Sequence, residues 1–116
     1  MTATATTYTD LLPKHEGPQM VLRWVPGLIP GCGVAAIEGK RDATTYAVVE
    51  LPTDWAGRGF RLEKVAGGGT DRAEEAYAVF CSADPRQHRC ECRGFARWKH
   101  CKHVDAVATL VGNGWL

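Results

Sequence analysis

CECRGFARWKHCKHVDAVATLVGNG, residues 90 to 114, decides how the rest of the chain is read. Its first fourteen residues carry Cys90, Cys92, Cys101 and His103 in the order C-x-C, eight residues, C-x-H. Three thiolates and one imidazole fill a tetrahedral shell, so the pattern points to a structural Zn2+ with no open position for a substrate. Side chains two apart on a strand share a face, so Cys90 and Cys92 are expected on one strand, reaching the same ion. Helical residues two apart lie roughly 200° around the axis, which places Cys101 at the mouth of a helix and His103 in its first turn. Val104, Val107, Ala108 and Val111 then recur at helical spacing, with Gly112 and Gly114 as the stop. The positive end of that helix would favour an anionic sulfur at Cys101. His88, two residues before Cys90, and His100, beside Cys101, are placed to compete for the ion.

Upstream, β-branched and aromatic residues concentrate in short runs separated by turn chemistry. The clearest is a hairpin of residues 34–37 with 44–51, joined by a polar loop. Thr45, Ala47, Val49 and Leu51 share one face of its second arm, and Tyr46, Val48 and Glu50 the other. A third strand follows at 59–65, with Phe60 and Leu62 on one side, and a fourth at 76–81. Asp84-Pro85 marks a turn, after which residues 87–92 are expected to return antiparallel and deliver the C-x-C pair. Residues 19–25 are apolar enough for a strand, but Pro26-Gly27 and Pro30-Gly31 break them, and the stretch to Gly33 reads as turns. Residues 1–18 read as a flexible N-terminal arm, 19–75 as the β-rich part of the same domain, and 76–112 as a hairpin plus helix. The expected class is α+β, a small antiparallel β-meander with a zinc-stapled C-terminal β-hairpin and helix.

The segment 76–111 resembles the SWIM-type zinc finger. Its C-x-C and C-x-H pairs are met by Cys90, Cys92, Cys101 and His103, and the likeness extends to Gly94-Phe95, to Trp98 and to Cys101-Lys102-His103-Val104 running into an apolar helix. The resemblance implies a zinc-stapled hairpin and helix that binds DNA or another protein, and it favours His103 over its neighbours as the fourth ligand. The larger catalytic domains that this finger accompanies elsewhere do not occur in this sequence.

At 116 residues the chain is long enough for one domain with its own modest core. Its net charge of +1 leaves partner-seeking charge to local patches. Between residues 86 and 102 Arg86, Arg89, Arg93, Arg97, Lys99 and Lys102 are opposed only by Glu91. Arg89, Arg93, Arg97, Lys99 and Lys102 are therefore the candidate nucleic-acid contacts, although the cationic residues also suit a site whose ligands carry about −1 around Zn2+. Phe95 and Trp98 are expected to cover the metal or lie under the helix. Trp55 and Trp115, outside the finger, are candidates for a protein-facing surface. Five cysteines, an odd number, with no basic or apolar leader and no apolar run near the length of a membrane span, lead to the expectation of a cytoplasmic protein with reduced thiols. No phosphate-binding loop or nucleophile elbow occurs, so no catalysis and no small-molecule substrate are expected.

Overall fold

Apolar and polar residues alternate from Val21 to Cys81, and in a computed structural model this alternation resolves into one antiparallel sheet. The structure describes residues 7–13, 19–40, 43–53, 56–67 and 76–116, the side chains of residues 66, 67, 85, 93 and 94 excepted. Strands β1 (Tyr8–Leu11), β2 (Val21–Pro26), β3 (Cys32–Glu38), β4 (Ala43–Leu51), β5 (Gly57–Gly67), β6 (Ala76–Ser82) and β7 (Arg89–Cys90) lie side by side in chain order. Every adjacent pair is antiparallel, with a register shift between Thr45 and Tyr46 where β4 meets β5. A 3-10 turn, Pro85–Gln87, joins β6 to β7, and helices α1 (Arg93–Trp98) and α2 (Lys102–Gly112) complete the fold. The molecule is a strand-dominated meander with two short C-terminal helices, which meets the α+β expectation only in its coarse outline.

The inner face is set by the period of two. Leu22, Trp24, Ala35, Ile37, Tyr46, Val48, Phe60, Leu62, Val79 and Cys81 all point to one side and are buried. Helix α2 lies on that side, against β3, β6 and β7, and contributes Val104, Ala106, Val107 and Leu110 to the same core. Fully burying a side chain such as Leu22 or Phe60 stabilises by roughly 1.5–3 kcal/mol, so this row can hold the sheet without a metal. The outer face carries exposed Val34, Val49 and Val65, together with the ion pairs Arg23–Glu38 and Arg61–Glu63. Gly33 makes room for Trp24, because a side chain at Gly33 would overlap the indole ring.

Three details differ from the expectations above. Tyr8–Leu11, inside the stretch read as a flexible arm, pairs with β2 from Tyr8↔Trp24 to Leu11↔Val21. Its hold comes from the far end of the chain. Tyr8 stacks on Trp115 with centroids 5.0 Å apart, and Asn113 Nδ2 donates to Asp10 Oδ2 at 2.9 Å. Trp115 is therefore partly buried, while Trp55 lies outside the described residues. Residues 21–26 form the expected strand with Pro26 as its last residue, but the turn after it is shorter than expected, because β3 begins at Cys32 and Gly33 pairs with Pro26. The strand expected over 87–92 is reduced to two residues. Glu91 ends it by turning its side chain to the sheet, where Oε1 accepts from the Ala78 N–H at 3.0 Å while the Glu91 N–H donates to Ala78 O at 3.2 Å.

Candidate metal centre

Three elements bring the Cys/His set together at the C-terminal edge of the sheet. Cys90 ends β7, Cys92 is the N-cap of α1, Cys101 is the N-cap of α2, and His103 lies in the first turn of α2. The three sulfurs and one ring nitrogen all lie within 4.8 Å of one another. Cys92, Cys101 and His103 are buried and Cys90 half-buried. This is a Cys3His donor set that could hold one metal ion. Cys101 and His103 stand as the helical spacing requires. Cys90 and Cys92 do not share a strand, because Glu91 breaks the pairing and Cys92 starts a helix of its own.

Backbone amides support two of the sulfurs. The Phe95 N–H donates to Cys92 Sγ at 3.4 Å, and the Val104 N–H donates to Cys101 Sγ at 3.4 Å. Each thiol thus takes the place of the hydroxyl or carboxylate oxygen that usually caps a helix. His103 is held from three directions. Nδ1 faces Cys90 Sγ at 3.8 Å, Nε2 stands 3.0 Å from the Tyr46 hydroxyl, and the Tyr77 ring lies against the imidazole with centroids 4.4 Å apart. A cation on Nδ1 leaves the ring proton on Nε2, where it donates to Tyr46 Oη and fixes both tautomer and ring plane.

The electrostatics show why the set fits a cation. A hydrogen bond from Cys90 holds the Cys101 thiol below the ordinary thiol range, with further help from His103 and the Val104 amide against the cost of burial. Cys90 is pushed far up, first by holding that shared proton and then by burial, and burial also raises Cys92. The protein alone stabilises one thiolate here and resists the others. A divalent cation among the donors removes that resistance, since metal binding displaces the thiol protons. Soft sulfur with imidazole is a donor chemistry suited to such an ion.

His88 and His100 stand outside the cluster. His88 Nδ1 accepts from the Ser82 N–H at 3.0 Å. Cys81 is a buried thiol, raised by that burial, and Cys32 lies half-buried at the start of β3.

The cationic candidates disperse. Arg89 and Lys99 line one groove with Arg86, His88 and His100. Arg97 lies apart from it, its guanidinium 4.9 Å above the exposed Trp98 ring, and Lys102 opens α2. The side chain of Arg93 lies outside the described ones. Phe95 is partly buried against the core as expected, whereas Trp98 faces solvent.

Sequence reasoning missed Tyr46 and Tyr77. A buried tyrosine hydroxyl needs a partner, which is a usable signal at Tyr46, but nothing in the local sequence names His103, 57 residues away, as that partner. No helix of the described residues is long and apolar enough to cross a membrane. The chain matches no protein-family model, no curated protein and no solved structure. Its functional reading rests on the geometry above.

Proposed function

We propose that the chain is a zinc-binding module of the SWIM type, non-catalytic, in which Zn2+ shapes the C-terminal third and flanking cations contact nucleic acid, DNA in the first instance. One observation carries the reading: a Cys3His set within 4.8 Å, drawn from three separate element ends. Zinc suits the donors, and four protein ligands leave it no vacant position from which to activate water. Ion and fold then depend on each other, because the ligands are not assembled in the unfolded chain. The nucleic-acid half of the reading is supported by the exposed Arg89 and Lys99 beside the centre. A few phosphate contacts of this kind give modest affinity that falls steeply as salt rises.

Metal analysis of the purified protein, followed by salt-dependent titration with DNA, tests both halves. One equivalent of zinc and a negative salt slope are the expected results. Absence of metal in protein purified without chelator would remove the first half, and a flat salt response the second. A second reading, a protein-interaction adapter with a purely structural zinc, is favoured by Leu28 and Ile29, both strongly exposed in the turn between β2 and β3. Stoichiometric capture of a protein partner without any affinity for nucleic acid would select it.

A further inference from the structure

Two grooves flank the metal centre and share a wall. The larger, about 860 Å³, is bordered by apolar groups including Leu51, Pro52 and Phe80. The smaller, about 480 Å³, is lined by Arg86, His88, His100 and Asp105. Arg89, Phe95 and Lys99 border both. We propose that this joined surface binds single-stranded nucleic acid, with phosphates along Arg89 and Lys99 and an unstacked base turned against Phe95 into the apolar groove. The inference rests on the nucleic-acid reading above and specifies the strand form and the residues.

Among the cations that line the two grooves, Arg89 and Lys99 stand without a carboxylate partner. Arg23, Arg58, Arg61 and Arg86 are each paired with a carboxylate. Among the described residues Arg89 and Lys99 make no ion pair, and both are exposed. An anionic ligand would supply the missing partner.

Backbone conformation gives a second, independent pointer. Lys99 caps the C-terminus of α1 at φ 62°, the one non-glycine with positive φ among the described residues. Glycine is the comfortable residue in that left-handed position, so lysine holds it against a conformational cost. Such an outlier beside a groove suggests a role outside folding.

The chemistry favours an unpaired strand. A duplex keeps its bases stacked inside, whereas a flexible single strand offers base faces to aromatic side chains and phosphates to a cationic track. A peptide adding to β6 beyond the short β7 is disfavoured, because Glu91 already occupies both hydrogen-bonding groups of Ala78 there.

The test uses the full chain loaded with zinc and fluorescence anisotropy. The probes are a labelled oligothymidylate of about 12 nucleotides, a duplex of equal length, and a labelled peptide of glutamate and phenylalanine. The single strand should bind at least about tenfold more tightly than the duplex at equal salt, with base stacking as the source of the difference. Lys99→Gly should raise the thermal midpoint while weakening single-strand binding about threefold to tenfold, and its salt slope should flatten by about one contact. Arg89→Gln should weaken binding similarly. Equal affinity for both forms, unchanged by either substitution, would overturn this site and leave the broader nucleic-acid reading intact. No binding to either form would end both. Peptide binding that depends on Lys99, without oligonucleotide binding, would reassign the surface to a protein partner.

Discussion

The sheet from β2 to β5 and the assembly from β7 to α2 share one core but differ in the length of their elements and in the polar groups they enclose. In the sheet, long strands turn Trp24, Tyr46, Phe60 and Leu62 into one enclosed layer. At the other end β7 has two residues and α1 has six, lengths at which neither element is stable alone. Those pieces meet where the four Cys/His donors converge, beside the part of the core to which α2 adds Val104, Val107 and Leu110. The contrast teaches that apolar burial shapes most of this small chain, while its last short elements also converge on a donor set that could hold a metal ion. The two regions should therefore fail separately.

Removing the metal gives the largest separation. Chelation, or Cys101→Ser, should abolish most of a binding free energy that reaches on the order of 10 kcal/mol in isolated finger peptides. Amide exchange should rise first over residues 89–112 while β2 to β5 keep their protection. Simultaneous loss of protection in both regions would break the comparison. Trp24→Ala attacks the opposite region and should cost about 3–5 kcal/mol in denaturant unfolding. It should leave metal content unchanged under conditions where the variant remains folded.

Tyr46 links the two regions, and Tyr46→Phe sharpens the comparison most. The ring stays in the core, the hydroxyl beside His103 Nε2 is lost, and metal affinity should fall about tenfold or more in a competition titration. An unchanged affinity would mean that His103 needs no support from the sheet. The smallest effect is expected at Glu50, which Arg58 grips through two hydrogen bonds of 2.9 and 2.8 Å. Those bonds hold the Glu50 carboxyl below its ordinary value, so its contribution is present above the unfolded value near 4.5 and fades as pH falls through the lower folded one. Both partners are about one-third exposed, so Glu50→Gln should cost only about 0.5 kcal/mol at pH 7 and nothing once both states are protonated. Unfolding midpoints at neutral and acid pH check the sign.

Much of the sheet was legible because alternation is a local property. Residues 43–51 and 57–67 pair largely as their patterns require, and the four ligands stand out by residue type and spacing. The misses share a cause, which is contact between residues distant in sequence. The polar run Tyr8–Leu11 has no strand-like period, and its partners Asn113 and Trp115 lie at the other end of the chain. The strand through Cys92 fails because a carboxylate at Glu91 substitutes for the next backbone pair, which no propensity scale anticipates. Helix α1 contains Gly94 and spans only six residues, so no apolar period was there to detect. The cationic cluster read as one surface because a linear sequence does not show that Arg97 turns to Trp98 while Arg89 and Lys99 face a groove.

Helix α2 is secured at both of its ends. Its start is held by Cys101 and His103, and beyond its finish Trp24 Nε1 donates to Trp115 O at 3.2 Å while Arg58 Nη1 donates to Leu116 O at 2.7 Å. If the first anchorage opens, the second remains, and so does the packing of Val107 and Leu110 on the sheet, so the helix stays docked close to its place. Re-closure then needs a short movement in place of a search through space, and recapture of the ion should be correspondingly quick.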